Sequence, residues 1–175
     1  MIIMGNPKRQ RSKFSRPKKP YNKERIDSER VVMKEFGLRR KKEIWRTESV
    51  LRDYRRRARE LQALPDEAKQ AALFDKLNSL GLQVNEINDI LSIQLNDLLS
   101  RRLQTVVHRK GLASTPSHSR QLIVHGHVMI SGRKAKYPGM LVMHLDEAKL
   151  SIDEKMASKM VKSMNSELSE VTENE

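Results

Sequence analysis

Apolar positions recur at helical spacing through most of the chain and change to strand-like alternation only near residue 127. Residues 24–36 read as a first helix that stops at Gly37. A longer helix is predicted from about Lys42 to Leu64, with Ile44, Leu51 and Ala58 at one heptad position and Tyr54 and Leu61 at another. Leu64-Pro65-Asp66 starts a third helix whose apolar face is Ala68, Ala72, Leu73, Leu77 and Leu80, closed by Gly81. A short helical turn follows at about 86–91. From Ser92 as N-cap, one continuous amphipathic helix is predicted to run to Gly111, with Leu95, Leu99, Leu103, Val106 and Val107 on one side. Thr115, Pro116 and Gly126 mark N-cap, first position and stop of a further short helix. After it, "HVMI" reads as a strand, Ser131-Gly132 as a turn and "RKAKY" as the return strand. Pro138-Gly139 is a second turn and "MLVMHL" is predicted as a third strand. From Asp146 the helical spacing is weak, with a methionine stripe at Met156, Met160 and Met164. The last ten or so residues are expected to be disordered.

Charge changes this picture from an ordinary helical protein to one with a polyanionic partner. The 175 residues carry a formal net charge of +13, and the excess is blocked rather than dispersed. Residues 1–60 hold 21 Lys/Arg against 8 Asp/Glu, and residues 98–139 hold 8 against none. The intervening and final segments, 61–97 and 140–175, are each net −4. Blocks of one sign point to nucleic acid first and an acidic membrane surface second. The chain has no cysteine, so disulfides and thiolate metal sites are excluded. No apolar run reaches membrane length and no signal peptide is read, which gives a cytoplasmic expectation. Met4 is a second candidate start.

Candidate contacts fall in three groups. Residues 5–23 hold three prolines, no acidic residue, and Lys8, Arg9, Arg11, Lys13, Arg16, Lys18 and Lys19. Such a segment buries too little to fold alone and reads as an arm that orders on a partner. Arg39, Arg40 and Lys41 precede the long helix. On that helix Arg52, Arg55, Arg56 and Arg59 share a flank at about 100° per residue, where like charges repel unless phosphates separate them. In the acid-free block, Arg101, Thr105 and Arg109 recur at i, i+4 and i+8, beside Arg102 and Lys110. Ser117, Gln121 and His125 share a face of the short helix, with Arg120 adjacent and His127 beyond the glycine. Arg133, Lys134 and Lys136 sit on the hairpin. Arg101, Arg109, Arg120, Gln121 and His125 are expected to make one surface facing the polyanion. His125 and His127 have no carboxylate or thiol nearby, so no metal site and no cofactor is expected. No Gly-rich phosphate loop, HExxH or nucleophile elbow is present, and an enzyme is not expected.

The stretch "LLSRRLQTVVHRKGLASTPSHSRQLIVHGHVMISGRKAKYPGMLV" (98–142) resembles the small RNA-binding module first described in the fourth protein of the small ribosomal subunit. "GNPKRQRSKFSRPKKPYNKER" and "FGLRRKKEIWRTESVLRDYRRRAREL" resemble the amino-terminal part of the archaeal and eukaryotic type of that family. The resemblance spans roughly 5–145 and implies an α+β, mainly helical fold. Its expected parts are a basic extended arm (1–23), a helical ribosomal-RNA-binding domain (24–97), a module of two helices and a bent antiparallel sheet (98–145), and a tail (146–175), partly helical. It implies a structural constituent of the small subunit that binds small-subunit ribosomal RNA in the 5′ domain at a multi-helix junction, early in assembly. The fifth small-subunit protein, with a bearing on decoding accuracy, and messenger RNA at the entry channel are further implied partners. No membrane and no small-molecule ligand is implied. Two alternatives share the module: a free RNA-binding factor of ribosome-rescue or heat-shock type, and the detached RNA-binding part of a modifying enzyme.

Overall fold

The computed structural model describes residues 12–153. The helical half is built around one long helix. Helix α1 (Lys23–Glu35) begins where the Asn22 side chain accepts the Arg25 amide at 3.2 Å. Gly37 then turns the chain at φ +59 into α2 (Lys41–Ala63). Helix α3 (Glu67–Ser79) is capped by Asp66, which accepts from the Lys69 amide at 3.2 Å. Two one-and-a-half-turn helices follow, α4 (Ile87–Ser92) and α5 (Leu95–Ser100). Helix α2 packs on α1, α3, α4 and α5. Its expected stripe is its buried face: Ile44, Leu51, Tyr54, Ala58 and Leu61 are all in the interior, joined by Thr47. Leu51, Tyr54, Ala58 and Leu61 join Leu73, Leu77, Ile90 and Leu98 in one core. Ile44 joins Phe36, Leu38 and Leu99 in a second, smaller one.

The module follows with α6 (Leu103–Arg109), α7 (Pro116–Val124), β1 (Val128–Ile130), β2 (Arg133–Lys134), α8 (His144–Glu147) and β3 (Leu150–Ile152). Helices α6 and α7 pack together over Leu103, Val106, Val107, Leu122, Ile123 and Val128. Thr115 caps α7 by accepting the His118 amide at 3.1 Å, with Pro116 at its first position. Ser131 and Gly132, at φ 50 and 77, close the β1–β2 hairpin, the left-handed pair that a two-residue turn of this hand requires. The sheet is antiparallel in the order β2-β1-β3.

Two expectations are corrected here. The continuous helix over 92–111 is instead two, α5 and α6: Ser92 ends α4 rather than capping the helix, and residues 101–103 pair with the loop after the hairpin. The Leu103 amide donates to the Met140 carbonyl at 2.8 Å, and the Val142 amide donates to the Arg101 carbonyl at 2.9 Å. Apolar periodicity carried across these breaks since every segment faces a core, though not the same one: Leu98 serves the first, Leu99 the second, Leu103 the module's. For the same reason "MLVMHL" is no sheet strand. Its backbone is spent on residues 101–103 and then winds into α8, and the third strand is Leu150–Ile152, in the segment expected to be tail. The methionine stripe at 156–164 and the disordered end lie outside the described residues.

Candidate nucleic-acid interface

The basic residues divide into those that face solvent and those that hold the protein together. Glu43, in the first turn of α2, is the centre of the second kind. Its Oε1 accepts the Arg39 and Arg40 amides, each at 3.3 Å, and Arg120 Nη2 at 3.1 Å. Its Oε2 accepts Arg102 Nη2 at 2.5 Å and Arg120 Nη1 at 3.1 Å, so Arg120 meets the carboxylate as a two-pronged fork. Arg120 Nη1 also approaches Gln104 Oε1 at 3.3 Å. Gln104, fully buried, donates through Nε2 to the carbonyls of Phe36, Gly37 and Pro116 at 3.1, 2.8 and 3.0 Å. A Cβ on Gly37 would stand 2.8 Å from Pro116 Cβ, so glycine is needed there for contact as well as for φ. This cluster fastens the helical half to the module.

Burial alone would raise the Glu43 carboxyl. The hydrogen bond from Arg120 and the charges of Arg102 and Arg120 outweigh it and hold Glu43 below the ordinary carboxylate range. Glu29 follows the same logic, with burial opposed by Trp45 Nε1 at 3.0 Å, Lys41 at 3.1 Å and Arg25.

The expected surface of Arg101, Arg109, Arg120, Gln121 and His125 does not form. Arg101 is only 7% exposed, pairs with Glu147 at 2.9 Å and donates to the Val142 carbonyl at 3.3 Å. Arg102 is 5% exposed and Arg120 is directed at Glu43. The i, i+4, i+8 spacing fails because Arg101 ends α5 while Arg109 ends α6. Thr105 is turned inward, donating to the Leu99 carbonyl at 2.9 Å. Arg55, half-buried, donates to the Ile93 carbonyl at 2.7 Å and so leaves the expected flank of α2. Lys41 is engaged with Glu29.

The other described candidates are at the surface, with His127 half-buried. Arg52, Arg56 and Arg59 are exposed on α2, and Arg39 and Arg40 precede it. Arg56 is paired within its helix, to Glu60 at 2.7 Å and Asp53 at 3.8 Å. Lys13, Arg16, Lys18 and Lys19 are exposed on a segment that lies against the helices: Phe14 meets the Trp45 ring at 6.0 Å and the Ser15 amide donates to Ser49 at 3.2 Å. Lys8, Arg9 and Arg11 lie outside the described residues. In the module, Arg109, Lys110, Ser117, Gln121, His125, Arg133, Lys134 and Lys136 are exposed. His125 and His127 stack at 6.3 Å and share a shallow hollow with His118 and Gln121. Lys134 passes within 4.0 Å of where a Gly126 Cβ would be, so the end of α7 and the hairpin form one continuous basic edge.

A family model described as the S4 domain matches residues 101–144. Small ribosomal subunit protein uS4 of Ignicoccus hospitalis (strain KIN4/I / DSM 18386 / JCM 14125) is 49% identical over 150 residues, covering 82% of this chain and 90% of that protein. The chain belongs to the uS4 family.

Sequence reasoning missed Glu43, Gln104 and Glu147, which decide where the arginines of the module point. Glu43 had one visible signal: it is a lone acid after four consecutive basic residues, at the position where a helix start favours an acid. Gln104 had none. Among the described residues no group of three His, Cys, Asp or Glu side chains could hold a metal ion, and no helix is long and apolar enough to cross a membrane.

Proposed function

We propose that the chain is a structural constituent of the small ribosomal subunit that binds small-subunit ribosomal RNA through two exposed basic surfaces held at a fixed relation. One surface is the α2 flank with Arg52 and Arg59, continued by Arg39, Arg40 and the arm. The other is the module edge of Gln121, His125, Arg133, Lys134 and Lys136. The observation that carries this reading is a module edge of exposed cations, Arg133, Lys134 and Lys136 against the one carboxylate of Asp146, in a chain of the uS4 family. RNA helices offer phosphates and 2′-hydroxyls more readily than base edges, and cations on a rigid mount match that display. The Glu43 cluster supplies the rigidity. Arg101, Arg102 and Arg120 support the surface from behind rather than forming it.

The finer parts of this reading are the 5′-domain junction as target, early entry into assembly, a contact with the fifth small-subunit protein bearing on decoding accuracy, and messenger RNA at the entry channel. A module that ends at Ile152 rather than at 145 also belongs to it. Titration of a small-subunit ribosomal RNA transcript with the full chain across a salt series tests the RNA-binding core. Affinity should fall steeply with salt, since each phosphate contact releases counterions. Co-sedimentation with small subunits after a high-salt wash separates a stable constituent from a free RNA-binding factor. A chain that washes off completely is not a structural constituent.

A further inference from the structure

The described part of this chain has few aromatic rings, and most are packed. Phe36 and Tyr54 are buried, Phe74 lies against the helical core, and Phe14 and Trp45 lie against each other. Tyr21 and Tyr137 are the exceptions, 92% and 77% exposed, and both lie in basic stretches of the sequence. Tyr137 follows Arg133, Lys134 and Lys136, and all four line one groove beside the hairpin. Ile130, Ala135 and Met140 give that groove an apolar lining, and Asp146 is its one carboxylate. The loop that carries the ring is fixed. The Met140 amide donates to the Tyr137 carbonyl at 3.1 Å, and the Gln104 amide donates to the Pro138 carbonyl at 3.3 Å. An exposed phenol on a braced loop, with cations on its rim, is a surface shaped for a planar, apolar-faced group attached to negative charge.

We propose that Tyr137 and this groove hold an unpaired nucleotide of RNA, its base stacked on the phenol ring and its flanking phosphates on Arg133, Lys134 and Lys136. The proposal rests on the reading that the chain binds RNA, and adds to it a preference for single-stranded sites. A duplex keeps its bases stacked on one another, so only an unpaired base can reach the ring. Three exposed cations against one carboxylate match a phosphate backbone in sign, and stacking on an aromatic ring tolerates any base. The hairpin cations thereby also hold the strand in place while the ring takes the base.

The test uses the full chain with three probes: a small-subunit ribosomal RNA transcript, a single-stranded adenosine decamer, and a fully paired ten-base-pair RNA duplex. Tyr137→Ala should weaken binding to the decamer by roughly 5- to 150-fold, the range for loss of one stacked base. Its affinity for the duplex, its salt slope and its melting temperature should match wild type, and Tyr137→Phe should restore the decamer. Lys136→Gln should instead lower the salt slope on both short probes. Equal decamer affinity for Tyr137→Ala and wild type overturns the proposal, as does an equal loss on the duplex. If Tyr137→Ala keeps RNA affinity but drops a neighbouring protein from reconstituted subunits, the groove is a protein contact and the proposal falls. Failure of wild type to bind the ribosomal transcript would sink the parent reading instead.

Discussion

Arg102 and Arg59 are the same residue type in basic stretches of one chain, and the structure gives them opposite roles. Arg102 is buried at the junction between helical half and module, its guanidinium on a carboxylate 59 positions earlier in sequence. Arg59 stands in solvent on α2. The difference lies in the partner and not in the arginine. Glu43 draws Arg102 and Arg120 inward, and Glu147 does the same for Arg101. A stretch without acids therefore need not be a stretch of free cations, because its counter-charges can come from elsewhere in the chain. RNA-binding strength should follow the exposed group and stability the buried group, and the two can be separated by substitution.

The largest effect is expected at Arg102→Ala. Breaking a buried ion pair costs about 3–5 kcal/mol, and because Arg120 still faces Glu43 in this variant the loss should lie at the lower end of that range. Denaturant titration should show this loss, and RNA affinity should fall only in proportion to the unfolded fraction. A double-mutant cycle with Glu43→Ala should give strong coupling, whereas the same cycle between Glu43 and Arg59 should be additive. If Arg102→Ala keeps wild-type stability and loses RNA, Arg102 belongs with the exposed group and the comparison collapses.

Next in size is Glu43→Gln, which keeps the shape and removes the charge. Weakening several charge-assisted hydrogen bonds at once should cost about 1–3 kcal/mol at neutral pH. The pH dependence has a definite sign. The folded-state pKa is depressed, so the Glu43 contribution is complete above the ordinary carboxylate value of 4.5 and is lost as pH falls through the lower folded value. The stability gap between wild type and Glu43→Gln should be full at pH 7 and close below that window. Glu29 is depressed as well, so the variant should still lose stability in acid, less steeply than wild type. A gap that stays constant with pH would mean that the Glu43 charge is not what binds the two halves.

Element types and caps were legible in the sequence wherever one face met one core. The stripe of α2, the Thr115 cap and the Ser131-Gly132 turn all report local physics, and the structure has each of them. Legibility stopped where backbone groups bond across long separations. The break at Arg101–Leu103 is made by carbonyls and amides of residues 138–142, and no periodicity at 92–111 registers them. The strand Leu150–Ile152 was missed for a related reason: three residues are too few to show alternation, and its identity comes from pairing with β1. The site was legible as a charge block and illegible as a surface. Whether Arg101 points in or out depends on Glu147, and whether Arg120 does depends on Glu43, which is 77 residues away.

The smallest effect separates two exposed arginines of one helix. Arg56 has intrahelical acids, Glu60 at 2.7 Å and Asp53 at 3.8 Å, and Arg59 has no ion pair among the described residues. An exposed pair of this kind contributes little to stability, so neither Arg56→Gln nor Arg59→Gln should move the melting temperature measurably. Their RNA binding should differ. A free guanidinium that meets a phosphate displaces a condensed counterion, and its loss lowers the magnitude of the log affinity against log salt slope by about 0.7–0.9. Arg56 must give up part of its hold on Glu60 to do the same, and the carboxylate it leaves repels the phosphate. Arg59→Gln should therefore flatten the slope by close to one contact and Arg56→Gln by a fraction of one. Glu60→Gln should move Arg56 toward the behaviour of Arg59 and strengthen binding at low salt. Equal slopes for the two arginine variants would show that a local acid does not tune a surface arginine on this helix, and would leave burial alone as the basis of the comparison.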